Sequence, residues 1–151
     1  MTTQTQIVMS THVNGSGRLF GGHLMAWIDV AAAVEARRHT HHEVTTVTVD
    51  SLEFLVPVNL NEIVVLEARV TWTGRTSIEV RVDTFVEDLN GNKSLVNVAY
   101  VVFVALDAGR PCEVRAFTPV TEEEKVEYTA AEARRALRLM RRSRGKLEHR
   151  G

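Results

Sequence analysis

A single cysteine, Cys112, stands in 151 residues. No disulfide can form within the chain, and a reducing compartment, the cytoplasm, is the expected setting. Cys112 lies in a polar, turn-like segment, Gly109-Arg-Pro-Cys-Glu, and is read as incidental rather than as a nucleophile. No apolar run reaches the length of a membrane span, and no membrane partner is expected. Met1-Thr-Thr-Gln-Thr-Gln lacks the basic region and apolar core of a secretory leader. Internal repeats and low-complexity segments are absent. Three histidines crowd together at His39, His41 and His42, but nothing nearby has ligand spacing. Cations at the C-terminal end of a helix dipole explain them, and no metal is expected.

An excess of either sign of charge is also lacking: 18 Lys and Arg stand against 19 Asp and Glu, a net of −1. That figure conceals an asymmetry. The segment from Glu132 to Gly151 carries a net +6, and the rest of the chain −7. A basic tail on an acidic body can meet an anion, a nucleic acid or the acidic face of a neighbouring subunit. The tail lacks the interleaved aromatics that stack on single strands, so nucleic acid is not expected and a solvated or docked helix is. The hydrophobic fraction of 44% and charged fraction of 25% are ordinary for a globular protein, and the length is that of one domain.

What the chain does have is a long apolar stretch broken by one acid. From Leu24 to Val34 the only ionisable side chain is Asp29. The segment Arg18–His39 reads as a helix opened by Gly21-Gly22. At 3.6 residues per turn, Gly22, Ala26, Asp29, Ala33 and Ala36 share one face. Small neighbours leave space in front of the carboxylate. A carboxylate among apolar groups is costly unless paired, and such a setting suits a general base. A structural Asp satisfied by a strand or by Arg37 or Arg38 is the other reading.

Around this helix the pattern is of strands. Thr5–Ser10 reads as a short first strand, followed by a turn-rich loop, Thr11–Arg18. After the helix, Val44–Phe54, Glu62–Thr73, Thr76–Glu87 and Ser94–Leu106 are rich in β-branched residues or alternate in polarity. Pro57 with Asn59-Leu-Asn61, Gly74-Arg75 and Asn90-Gly91 separate them as turns. The expected class is α+β, a helix wrapped by a curved antiparallel sheet. One sheet leaves a face of an all-apolar helix open, so a second copy is the natural cover. Past Pro119 the composition shifts. Residues 1–120 are read as the domain and 121–151 as a basic C-terminal helix and tail. Thr129-Ala-Ala-Glu132 has capping-box spacing, with Ala133, Ala136, Leu137 and Met140 as a thin stripe, the helix ending near Arg142 and the remainder disordered.

Three segments together resemble a known family. They are Asn14-Gly-Ser-Gly17-Arg-Leu-Phe20-Gly21-Gly22-His-Leu-Met25-Ala-Trp-Ile-Asp29, Phe54-Leu-Val-Pro57-Val58 and Gly74-Arg75-Thr76-Ser77-Ile-Glu79-Val80. In this order they are similar to the hotdog-fold acyl-CoA thioesterases, the branch of bacterial acyl-CoA hydrolases related to the cytosolic long-chain enzymes. The resemblance covers about residues 5–110. It implies a hotdog fold, a long central helix inside a curved antiparallel sheet, and hydrolysis of acyl-CoA to a carboxylic acid and free coenzyme A. By resemblance Asp29 matches the catalytic acid and Asn14 the polar residue facing it from the partner subunit. Backbone N–H groups at Gly22 and His23 would stabilise the oxyanion. Gly21 would let substrate approach the backbone, and Phe54 is a candidate for closing the acyl tunnel. Gly74-Arg75-Thr76-Ser77 resembles the family's segment near the pantetheine and nucleotide end of coenzyme A, where Arg75 would pair with phosphate; an ordinary hairpin turn is the other reading. No cofactor is implied, coenzyme A being part of the substrate. The expected assembly is a homodimer with composite sites, as a trimer of dimers. Asn61-Glu62 replaces the family's frequent Gly-Asp. A hydratase would want a His beside the acid, and none is near Asp29. An acyl-CoA-binding sensor without turnover is the alternative from another class.

Overall fold

The computed structural model describes residues 1–50 and 53–150. In chain order the elements are strand β1 (Thr2–Ile7), a short 3-10 turn (Ser10–His12), helix α1 (Gly21–Thr40), β2 (Glu43–Asp50), β3 (Ile63–Thr73), β4 (Ser77–Glu87), β5 (Lys93–Asp107), β6 (Arg110–Pro111) and helix α2 (Glu122–Glu148). The strands form one antiparallel sheet in the order β1-β3-β4-β5-β2, with the two-residue β6 on β5.

α1 is the axis of the domain. Phe20 precedes it in extended conformation, and His41 ends it in the left-handed region at φ 58°, donating its N–H to the Arg37 carbonyl. Its buried stripe is Leu24, Ile28, Ala31, Ala32, Ala36 and Thr40. Strand alternation supplies the opposing surface: Val64, Leu66 and Ala68 of β3, Ile78, Val80 and Val82 of β4, and Ala99, Val101 and Phe103 of β5. Burying Leu24 and Ile28 contributes about 1.5–3 kcal/mol each. The small alanines let helix and sheet approach closely. α1 is not covered all round, however. Met25 and Val30 are 43% and 53% exposed, and Gly22 and Ala26 are exposed beside them.

The alternate residues of β4 point to the other face of the sheet, where α2 lies. Glu79 there is fully buried. Its carboxylate accepts from Arg134 Nε at 3.0 Å and Nη2 at 2.8 Å, and from the Thr71 hydroxyl at 2.6 Å. The Arg134 guanidinium also lies 3.7 Å from the centre of the Tyr100 ring. Burial works against the charge on Arg134, but the hydrogen bond and charge of Glu79, with Tyr100 and Glu127, outweigh it and hold its pKa above the ordinary value. Arg138 reaches both Asp50 and Glu79, and Arg81 pairs with Asp83 and Glu127. α2 is therefore docked largely through ions; its one fully buried side chain is Ala131.

Several element limits differ from the sequence reading. The first strand starts at Thr2, three residues before Thr5, where it pairs with Ala68. β2 ends at Asp50, and Phe54 belongs to no strand; Ser51 and Leu52 lie outside the described residues. α2 begins a full two turns before Thr129. Thr121 is its N-cap, accepting from the Glu124 N–H at 3.1 Å while the Glu124 carboxylate accepts from the Thr121 N–H at 3.2 Å. These backbone donors, that of Val120 first, hold the Glu124 carboxyl below its ordinary pKa. The Thr129 hydroxyl instead donates to the Lys125 carbonyl inside the helix. At its far end α2 continues to Glu148, past Arg142.

Candidate active site

Asp29 sits midway along α1, half-buried. Its Oδ1 accepts a 2.7 Å hydrogen bond from the Thr46 hydroxyl of β2. Thr46 stands where the β2–β5 register slips between Thr46 and Thr48, and such a slip re-aims side chains. A single hydroxyl donor leaves the second carboxylate oxygen, Oδ2, free to face a ligand. Thr46 was not among the residues picked from the sequence. Its signal was only the β-branched run Val44–Val49, in which nothing singles out one threonine.

Asn14 lies in a closed turn. Its Oδ1 accepts from the N–H groups of Ser16 at 2.9 Å and Arg18 at 3.3 Å. Its own N–H donates to the Arg18 carbonyl, and Gly17, at φ 73°, donates to the Asn14 carbonyl. The oxygen end of the amide is thus committed to the turn, and the exposed Nδ2 is the end presented outward. The turn is pinned to the next loop by Leu60 N–H to Gly17 O and Leu19 N–H to Val58 O.

At the start of α1, the amides of Gly21 and Gly22 donate to no backbone carbonyl among the described residues, whereas the His23 N–H donates to Phe20 O at 3.0 Å. An open N–H therefore remains at Gly22, as expected, but not at His23, whose oxyanion role is withdrawn because that donor is engaged. A Cβ on Gly22 would stand 2.6 Å from the Phe20 ring, so any larger residue there would have to displace that exposed ring. The Phe54 ring lies 3.5 Å from where a Gly21 Cβ would be. Phe54 and Asn14 share a groove of about 290 Å³ with Arg18, Leu19, Pro57 and Val58. Asn97, fully buried on β5, holds the strap carrying Phe54 by donating from Nδ2 to Glu53 O at 2.7 Å.

Thr76 and Ser77 open on a separate cleft of about 170 Å³ on the outer face, with Arg135, Arg138 and Arg142 of α2 around it. The Arg75 side chain is exposed on the same turn. Within one chain, then, the groups fall into three places: Asp29 with Thr46; Asn14, Gly21, Gly22 and Phe54; and Thr76 with Ser77. No hydrogen bond joins Asp29 to Asn14 among the described residues. The histidines of the first turn of the domain cluster nearby, His12 standing 5.3 Å from His23 and 4.9 Å from Trp27 between ring centres. His39 lies apart, its Nε2 bonded to Arg115 O at 2.7 Å.

Residues 16–91 match the thioesterase superfamily. The chain belongs to that superfamily. Its fold of one helix inside a curled antiparallel sheet is the hotdog fold. Among superfamily relatives, the Bacillus subtilis protein named uncharacterized acyl-CoA thioester hydrolase YkhA is 39% identical over 85% of this chain and 76% of its own length. The solved acyl-CoA hydrolase of Staphylococcus aureus, in complex with butyryl coenzyme A, coenzyme A and coenzyme A disulfide, is 35% identical with a TM-score of 0.89, covering 96% of this chain and 90% of that one. Variants of that hydrolase carry Ala in place of an Asn, an Asp and a Thr. In it, fifteen positions separate the Asn from the Asp and seventeen the Asp from the Thr. A hexameric thioesterase from Yersinia pestis is 30% identical with a TM-score of 0.71, over 77% of this chain and 96% of that one. Longer mouse relatives exist, and this chain spans about a quarter of their length.

Proposed function

We propose that this protein hydrolyses acyl-CoA thioesters to a carboxylic acid and free coenzyme A. The observation that carries the reading is the Asp29 carboxylate, set on a small-residue face of α1 and steadied by Thr46. The relatives named as acyl-CoA hydrolases support it. So does spacing, since Asn14, Asp29 and Thr46 stand at the same separations as the Asn, Asp and Thr replaced in the S. aureus enzyme.

Asp29 acts as general base: it takes a proton from water as the oxygen attacks the thioester carbon, the C–S bond breaks, and the proton passes to the departing thiolate. Direct attack by the carboxylate, followed by hydrolysis of the anhydride, uses the same residue. The open Gly22 amide, at the positive end of the α1 dipole, receives the oxyanion. The Asn14 Nδ2, its oxygen being committed, serves as a second donor. No cofactor takes part.

These groups meet only between two copies. Seven residues separate Gly22 from Asp29, about 10 Å along a helix, too far for one carbonyl carbon to touch both. A partner whose α1 runs antiparallel across the exposed Met25, Ala26 and Val30 stripe brings its Gly22 and Asn14 to Asp29. The assembly is a homodimer with two composite sites, built into a trimer of dimers. Gly21 and Phe54 line the approach of the thioester. Arg75, Thr76 and Ser77, with the α2 arginines beside them, receive the phosphate end of coenzyme A.

Release of free thiol from acyl-CoAs of short to long chain tests the reading; tight binding without release on any chain length would leave an acyl-CoA sensor instead. Two substitutions test the roles. Asn14→Asp keeps the oxygen that closes the turn but replaces the donor, so kcat falls by about a hundredfold with the melting temperature unchanged. Unchanged kcat would remove Asn14 from the chemistry. Thr46→Val deletes a hydrogen bond to a charged group, about 1.5–3 kcal/mol, so kcat falls roughly tenfold to a hundredfold, and Thr46→Ser restores most of it. A Thr46→Val enzyme as fast as wild type would show that Asp29 needs no such partner.

A further inference from the structure

Past Arg138 the last turns of α2 carry a pattern of which substrate binding uses only Arg142, at the Thr76–Ser77 cleft. The face turned to the sheet is Glu127, Ala131, Arg134 and Arg138. At 3.6 residues per turn, the opposite crest of the helix is Ala133, Ala136, Met140, Ser143 and Leu147. Met140 and Leu147 are 57% and 71% exposed, and Leu137 and Leu139 at the crest's edges are also exposed. Cations flank this crest on both sides, Arg141 and Arg144 on one and Arg142 and Lys146 on the other, and all four are exposed. Among the described residues none of the four has an acidic partner. Every carboxylate that α2 meets on the sheet is already held by Arg81, Arg134 or Arg138.

We infer that this half of α2 is a docking face for an anionic lipid bilayer, lying along its surface rather than crossing it. No helix is long and apolar enough to cross a membrane among the described residues. A row of Leu and Met between two rows of long cations is what a bilayer interface accepts: the apolar crest enters the boundary of the acyl chains, and Arg and Lys bury their stems and reach back to the phosphates. A second copy of the same helix half would bring like charges together. A nucleic acid would leave the apolar crest in water, and no aromatic follows Tyr128 to stack on bases. This surface departs from the sequence expectation of no membrane partner and a tail solvated or docked on protein. It holds whether or not the thioesterase reading does.

Sedimentation of the full-length protein with vesicles tests it. Wild type binds phosphatidylglycerol vesicles and not phosphatidylcholine vesicles, and added salt weakens the binding. The triple variant Arg141→Gln, Arg144→Gln, Lys146→Gln weakens partitioning by about a hundredfold, roughly fivefold for each cation at the surface. The crest variant Met140→Glu, Leu147→Glu, with all cations retained, also abolishes binding. Both keep wild-type melting temperature, oligomeric state and, on a soluble acyl-CoA without vesicles, wild-type turnover. Failure of wild type to bind, equal binding to both lipids, or full binding by the crest variant would overturn the inference. A changed oligomeric state in the crest variant would assign the face to a second copy, and tighter binding to a DNA duplex than to vesicles, insensitive to the crest variant, would assign it to nucleic acid. Either result also overturns it.

Discussion

Asp29→Asn is expected to lower kcat by about 10²–10⁴-fold, the contribution of a positioned general base, while leaving KM and the melting temperature near wild type. The substitution is isosteric. The amide oxygen still accepts the Thr46 hydroxyl, the bond seen at 2.7 Å, so the side chain stays in place. What disappears is the group that accepts a proton or attacks carbon. An effect on kcat with little effect on KM is the signature of an interaction realised in the transition state. Parallel release of thiol by wild type and variant over a range of acyl-CoA concentrations measures it. A variant retaining near wild-type kcat would show that Asp29 is structural. Thr46 would then satisfy a structural carboxylate through the same hydrogen bond.

The second large effect concerns stability. Glu79→Ala is expected to lower the free energy of unfolding by about 3–5 kcal/mol, the range for removing one member of a buried ion pair. Arg134 loses both of its short hydrogen bonds to Glu79, and the Thr71 hydroxyl loses its carboxylate acceptor and keeps only the longer 3.3 Å contact to the carbonyl of residue 79. Arg134 is 21% exposed, so water recovers part of the loss and the lower end of the range applies. The double variant Glu79→Leu, Arg134→Leu is expected to regain much of the stability, since no charge is then left stranded. Urea unfolding gives the numbers, and faster proteolysis within α2 shows which element is released. A loss below about 1 kcal/mol for Glu79→Ala would mean that the cluster behaves as a surface ion pair.

The fate of Glu79 shows where the sequence was legible and where it was not. Alternation in Thr76–Glu87 correctly separates Ile78, Val80 and Val82 from Glu79, Arg81 and Asp83, and the first set packs on α1. Alternation alone assigns the second set to solvent. Only the docking of α2 makes Glu79 one of the most buried residues, and that docking is ionic, without the apolar periodicity that announces a packed helix. The start of α2 was missed for a related reason. Thr121–Glu124 and Thr129–Glu132 have the same capping spacing, and the second pair falls inside the helix. The central helix was legible because Gly21-Gly22 and the alanine-rich run leave one solution, and the hairpins because Gly74 and Asn90-Gly91 mark them. Within the proposed site, Asp29 and Asn14 stand out as a lone acid in an apolar run and a polar residue before Phe20-Gly21-Gly22. Thr46 does not, because its value depends on the register of β2 against β5 and on the slip next to it. The amide of His23 differs from the sequence expectation because the carbonyl of Phe20 takes it.

The strand order also sets a timetable for synthesis. β2 follows α1 directly in the chain, yet within the sheet its neighbour is β5, with Glu43 opposite Leu106 and Asp50 opposite Tyr100. A nascent chain that has left the ribosome as far as Glu87 holds α1, β3 and β4 but has nothing on which to hang β2. Thr46 cannot be fixed beside Asp29 until Lys93–Asp107 has emerged and closed a loop of more than fifty residues, the kind of distant pairing that forms slowly. Until then the apolar wall of α1 stands open on the side that β2 and β5 later cover. The exposed interval ends only when β5 arrives, which makes that strand the step at which a truncated or stalled chain changes from an aggregation hazard into a folded domain.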